Sequence, residues 1–263
     1  MNDFLCDEDM SFYFRHQKAK GINVDELDVS HFDTSKVTDM AYMFAYCQAK
    51  ELDVSHFNTN RVIDMSHMFW ECESEKLDVT HFDTGKVTNT TDMFCYCKAK
   101  ELDVSNFNTS KVTYMKNMFS NCYITELDVS HFDTNKVIDM SHMFHNCRVD
   151  KLDVSHFDTS NVIDMNYMFA DCQAKNLDVS HFDTRSVIDM SSMFYNCQTK
   201  ELDVSHFDTH NVTSMHNMFR GCQAKELDVS NFDTSKVLDF SYMFSNYNGH
   251  IIGKYKFPKE VFE

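Results

Sequence analysis

Nine aspartates recur at a fixed spacing of 25 residues, each directly after a leucine: Asp28, Asp53, Asp78, Asp103, Asp128, Asp153, Asp178, Asp203 and Asp228. In an extended segment they share one face with Glu26, Glu51, Glu101, Glu126, Glu201 and Glu226. Carboxylates stacked about 5 Å apart repel by roughly 1 kcal/mol per pair in water, so something must offset them. A cation or a basic ligand would do so. Hydroxyls of the Ser30 type, lysines such as Lys50 and Lys100, and solvent would do so equally. No loop carries the Gly-rich calcium pattern of secreted repeats, so the hydroxyls and lysines are the preferred reading.

Other columns carry reactive side chains at the same spacing. His31, His56, His81, His131, His156, His181 and His206 form one, with Asn106 and Asn231 in the remaining places. A histidine column suggests metal binding or a pH response. Asparagine in the same column fits a hydrogen-bonding turn residue better than an obligatory ligand. The threonines Thr34, Thr59, Thr84, Thr109, Thr134, Thr159, Thr184, Thr209 and Thr234 are unbroken. They stand beside Asp or Asn, which suggests capping or turn bonding rather than a flat water-ordering array. Cys47, Cys72, Cys97, Cys122, Cys147, Cys172, Cys197 and Cys222 lie in an otherwise apolar column and read as reduced, buried thiols. Cys6 and Cys95 fall outside that column and are the expected reactive exceptions. Cys95-x-Cys97 lacks the second ligand pair of a zinc site.

The third repeat is irregular, with Gly85, Thr90 in place of methionine, and Cys95; the lone Trp70 lies in the repeat before it. Asn-x-Ser/Thr sequons begin at Asn89, Asn108 and Asn211. No Gly-rich phosphate loop, nucleophile elbow or unique His, Asp and Ser constellation occurs. Every polar column is repeated, whereas catalysis needs one asymmetric, preorganised site. No enzyme, catalytic residue, metal or cofactor is therefore expected.

The elements that must position these columns follow from the strict period. A period of 20 to 29 residues is the mark of stacked coils. Leu27 and Val29 alternate with Asp28 and Ser30, the pattern of a half-buried strand. Val37, Met40, Met43, Phe44 and Cys47 follow at spacings that fit an amphipathic helix stripe. The expected fold is an α/β repeat solenoid, leucine-rich-repeat-like, with one short parallel strand and one short helix per 25-residue coil. Strands pair about 4.8 Å apart while helices pack at about 8 to 10 Å. A row of helices would therefore curve the array, with strands on its concave face. Residues 1–26 read as an N-terminal cap, 27–248 as nine coils, and 249–263 as a C-terminal cap.

The pattern, seen in Leu152-Asp153-Val154-Ser155-His156-Phe157-Asp158-Thr159 through Met165, Met168-Phe169 and Cys172, resembles the BspA-like leucine-rich repeat family. Those 25-residue repeats occur in many bacterial surface lipoproteins and in protists. The resemblance covers most of the chain and implies a solenoid used for adhesion or protein binding. It supplies no catalytic residue.

Composition narrows the partners. The net charge of −17 disfavours nucleic acid and anionic membrane surfaces, and favours cations or a basic protein. No apolar run reaches transmembrane length. The N-terminus, with Asp7-Glu8-Asp9, lacks the pattern of a signal peptide. The expectation is a cytoplasmic or viral-particle location, with surface exposure where a leader has been removed. The expected function is a protein-binding scaffold that uses the acidic strand face. The alternative is a self-assembling building block of a viral particle or surface assembly.

Overall fold

The computed structural model describes residues 9–10 and 29–262. The chain winds into a repeat solenoid in which each 25-residue repeat is one coil. Leu52, Val54, Phe57, Thr59, Val62, Met65, Met68, Phe69 and Cys72 point inward and are buried, and the same columns are buried in the coils that follow, except in the last coil, where Thr234, Val237 and Phe240 are half-buried. One continuous core runs through them all. Phe44, Phe69, Phe94, Phe119, Phe144, Phe169, Phe194, Phe219 and Phe244 form its spine. Their rings stack from coil to coil, from 5.5 Å between Phe44 and Phe69 to 6.0 Å between Phe119 and Phe144, with nearly parallel planes. That spacing lies within the favourable range for stacked aromatic pairs.

The expected helix does not form. From Met40 to Cys47 the chain makes consecutive turns: Met43 N–H donates to the Met40 carbonyl, Ala45 to Tyr42, and Cys47 to Phe44. The intervening N–H groups leave the coil. Met40 donates to the Asp64 carbonyl, Tyr42 to Ser66, Phe44 to Met68 and Tyr46 to Trp70. A helix would use all of these donors within one segment. Here half of them join neighbouring coils. Tyr42 and Tyr46 have φ of 58° and 60°, and the corresponding residues of the other coils are also left-handed. Such residues suit the third position of a type II-like turn and end helical continuity. Direct bonding between coils on this side removes the wide helix row that would have curved the array.

The strands are also shorter than the alternation suggests. Adjacent coils form isolated parallel bridges, such as Glu51 with Lys76 and Lys76 with Glu101. A second bridge column links Asp39, Asp64, Asn89, Tyr114, Asp139, Asp164, Asp189, Ser214 and Asp239 in order. Among the described residues only β1 (Glu226–Asp228) and β2 (His250–Ile252) form a longer parallel pair, in the register Leu227 to Ile251. The cause is local. Asp53 Oδ1 accepts the Ser55 N–H at 3.0 Å, and Phe57 N–H donates to the Val54 carbonyl. A side-chain acceptor two residues back draws the chain out of the extended line.

At the N-terminal side, Asp9 bridges Asp39 and Met10 N–H donates to the Asp39 carbonyl, so the bridge column gains another layer. The sequence Asp9-Met10-Ser11-Phe12-Tyr13-Phe14 repeats the register of Asp39-Met40-Ala41-Tyr42-Met43-Phe44. Most of the segment expected to form the N-terminal cap lies outside the described residues. At the other side β2 adds to β1, and 3₁₀ turns at Lys254–Lys256 and Lys259–Phe262 bring Phe257 and Phe262 against Phe244. Gly253 enters the first of these with φ of 89°, and a Cβ there would lie 2.6 Å from the backbone of Ser230. Only glycine permits that approach.

Candidate functional site: the carboxylate face and its groove

Alternation after the return of each coil buries Leu and Val and turns the aspartate outward. Asp53, Asp78, Asp103, Asp128, Asp153, Asp178 and Asp203 are exposed and Asp228 is half-buried. Asp28 lies outside the described residues. Each aspartate closes its own turn. Asp128 Oδ1 accepts from the Ser130 N–H at 3.0 Å and hydroxyl at 2.7 Å, and Asp153 from the Ser155 N–H and hydroxyl at 3.1 and 2.6 Å. The bonds from the residue two positions on hold all eight carboxyls below the ordinary aspartate value. For Asp103 the neighbouring Asp78 and Asp128 push the other way, and the bonds from Ser105 outweigh them. The ladder is thus kept ionised by local hydrogen bonds despite its like-charged neighbours.

Lysines on the return segments partly neutralise this face. Lys76 Nζ lies 2.9 Å from Glu51, Lys175 Nζ 3.1 Å from Asp150, and Lys100 pairs with Glu75. These pairs are exposed, and each contributes on the order of 1 kcal/mol or less. Between the lysines and the aspartates runs an open groove of about 700 Å³ bounded by Lys50, Lys76, Lys100, Glu101, Asp78 and Asp103. Similar grooves continue past Asp103 and Asp128 and, further along, past Asp178, Asp203 and Asp228. Acidic groups outnumber lysines in all three. The face offers carboxylate oxygens and a few ammonium groups along an extended track, with no enclosed chamber for a small reactant.

The remaining polar columns join coils. His56 Nε2 lies 2.7 Å from the Val29 carbonyl, His81 Nε2 2.8 Å from that of Val54, and His131 Nε2 3.0 Å from that of Val104. A carbonyl only accepts, so Nε2 carries the hydrogen. Asn106 and Asn231 donate to the Thr80 and Ser205 carbonyls in the same way. The threonines do not cap a helix. Thr34, Thr59, Thr84, Thr109, Thr134, Thr159, Thr184 and Thr209 are buried, and each hydroxyl donates to a carbonyl of the next coil, whereas Thr234 on the last coil is half-buried. Thr84 Oγ1 also accepts the Asn108 N–H at 2.7 Å. Among the described residues no group of three His, Cys, Asp or Glu side chains is placed to hold a metal ion.

All eight column cysteines are buried. Burial pushes the Cys147 and Cys222 thiols up to about 11, and Cys122 and Cys197 well above the ordinary value. Cys95, expected to be reactive, is also buried, and desolvation raises its thiol, with Asp92 adding to the effect. Its place is the layer beneath the turn surface, which a helix stripe does not contain. Cys6 lies outside the described residues.

Sequence reasoning missed an aromatic cluster on the turn side. Tyr42 stacks on His67 at 4.0 Å, and Trp70 packs 4.8 Å from Tyr46 and 5.3 Å from His67. His67 Nε2 lies 3.2 Å from Asp92, while its Nδ1 is buried without a partner among the described residues. Trp70 was the sequence signal, but a helical path places it on the wrong surface.

Comparison with known proteins supplies the family. One family model matches in overlapping windows, residues 8–130, 64–182, 115–221 and 174–256, as a shifted repeat should. The chain belongs to the DUF285 family. That family is described as a Mycoplasma protein of unknown function. No curated protein sequence matches the chain. Among solved structures it is similar to the functional domain of InlJ from Listeria monocytogenes, which includes a cysteine ladder, at 19% identity and a TM-score of 0.38. The match takes in 86% of this chain and 50% of the Listeria chain. At that score the two backbones share no close global superposition, and the DUF285 solenoid stands on its own coil-to-coil bonds. No helix among the described residues is long and apolar enough to cross a membrane.

Proposed function

We propose that this DUF285 repeat protein is a non-enzymatic scaffold that binds a protein partner along its carboxylate face. The observation that carries the reading is the row of eight outward aspartates, held ionised by their turn bonds and repeating at coil spacing, with open grooves alongside six of them. A row of fixed charges on a rigid array matches an extended, basic partner surface. The resemblance to BspA-like repeats, which implies adhesion or protein binding, points the same way. Repetition of every polar column weighs against an enzyme.

The test removes charge without removing the turn bonds. Asparagine keeps the Oδ1 acceptor, so a variant carrying Asp103→Asn, Asp128→Asn and Asp153→Asn retains the fold and loses three negative charges. Capture of partners from a native extract should fall at least tenfold against the unmodified chain. Capture by the unmodified chain should weaken with salt as the Debye length shrinks from about 10 Å at 0.1 M to about 3 Å at 1 M. A folded variant that captures the same partners in full removes the carboxylate face as the binding surface.

A further inference from the structure

We propose that a row of five cations on the first half of the array docks the carboxylate row of a second copy of this chain, side by side and in step. The residues are Lys36, Arg61, Lys86, Lys111 and Lys136, one in each of five consecutive coils. Each is exposed and precedes a buried valine, Val37, Val62, Val87, Val112 or Val137, so alternation turns it outward. The residue after each valine is bonded from coil to coil. Ile63 N–H donates to the Thr38 carbonyl, Thr88 to Ile63, Thr113 to Thr88 and Ile138 to Thr113. Those bonds hold the row at strand-like spacing, so its five charges span about 19 Å at about 4.8 Å per coil.

The fold makes no use of these five side chains. Among the described residues none of them takes part in a hydrogen bond or a close ion pair, whereas Lys50, Lys76, Lys98, Lys100 and Lys175 on the return segments all pair with acids. Later coils show the structural use of the same column. Asn161 Nδ2 donates to the Asn135 carbonyl at 2.7 Å, the Ser186 hydroxyl to that of Ser160 at 2.8 Å, and Asn211 Nδ2 to that of Arg185 at 2.9 Å. Acids do lie nearby. Asp33, Asp83 and Asp133 precede three of the cations, and each accepts instead from the N–H two residues on, at 3.0, 2.9 and 3.2 Å. Asn58 and Asn108 precede the other two. On the turn side Asp39, Asp64 and Asp139 are half-buried and accept from Ala41, Ser66 and Ser141. Neighbouring cations in the row repel by roughly 1 kcal/mol per pair in water.

Spacing selects the occupant. The carboxylate row repeats at the same interval, because both rows are columns of one solenoid. Two copies laid side by side bring five cations against five aspartates without drift, and each row offsets the repulsion within the other. A partner with a different repeat falls out of step within a few charges. The inference rests on the carboxylate face being a binding surface, and names a partner for it. The two rows lie on different stretches of the coil, so the contact is heterologous, and a copy engaged through its cations still presents its aspartates.

Sedimentation in about 0.1 M salt tests this, since repulsion between chains of net charge −17 is then screened beyond about 10 Å. The weight-average mass of the unmodified chain should rise past two copies with concentration and return to one copy in 1 M salt. A variant carrying Arg61→Gln, Lys86→Gln and Lys111→Gln should keep its melting temperature and need at least tenfold more protein to associate. The variant carrying Asp103→Asn, Asp128→Asn and Asp153→Asn should behave alike, because it lacks the opposite row. Mixed in equal amounts, the two variants should associate again and stop at two copies, since one productive contact remains. An unmodified chain whose mass never passes two copies up to its highest soluble concentration overturns the inference. So does a cation variant that assembles normally, or a mixture that stays monomeric. The scaffold reading is judged separately: the cation variant keeps its carboxylate row and should capture partners from extract as the unmodified chain does, whatever sedimentation shows.

Discussion

At the residue scale, a repeated side chain in this solenoid is fixed by the bond it makes to its own turn or to the next coil. Asp128 is a turn closer first, and its charge is what remains available outward. The same logic governs pH behaviour. The outward Asp column that contains Asp128 and Asp153 has folded values below its unfolded ones, so the stability it contributes is present above about pH 4 and lost as pH falls through the folded values. His142 acts in a higher window. Burial lowers it to about 4, with His145 and Lys116 adding to the effect and Asp139 and Asp92 opposing it. The unfolded chain takes up that proton first, so stability declines as pH falls from about 6.5 toward 4. His142→Asn should flatten the melting-temperature profile in that window, since Asn117 and Asn217 occupy the same left-handed position in other coils. An unchanged slope there would show that His142 is not the titrating group. The buried thiols give a second expectation: a bulky thiol reagent should label none of the column cysteines, nor Cys95, until the chain unfolds. Rapid native labelling of Cys122 would contradict the burial described.

At the scale of the element, the core was legible and the backbone path was not. Val162, Met165, Met168, Phe169 and Cys172 are all buried, as their spacing required. The same inward columns are satisfied by a helix or by a run of turns, and periodicity cannot separate the two. The deciding signal lay in the outward positions. Asn117, Asn121, Asn146, Asp171, Asn196, Asn217 and Gly221 recur where the chain is left-handed, and these residue types tolerate positive φ best. A substitution distinguishes the two paths. Tyr96 has φ of 57° and an exposed ring. Tyr96→Gly should stabilise by up to about 1–2 kcal/mol by relieving left-handed strain, whereas in a helix it would cost roughly 1 kcal/mol. The thermal or denaturant midpoint reads the sign. In the core, Met168→Ala should cost about 2–5 kcal/mol, and Met168→Asp more, because its charge would have no partner in a fully buried site.

At the scale of the whole molecule, strict spacing made the stack of coils, its continuous core and the outward aspartates legible in the sequence itself. Three things were not. The coil-to-coil bonds of Thr84 and His131 depend on register in space. The burial of Cys95 depends on the turn path. The exposure of Leu238 and Tyr242 on the last coil depends on where the C-terminal turns come to rest. All rest on one claim, that turns bonded between coils replace a row of helices. Far-ultraviolet circular dichroism of the full chain tests it most directly. The account predicts a spectrum without the helical double minimum. A double minimum of the strength due to about three helical turns in every coil would contradict it, and with it the placement of the turn surface.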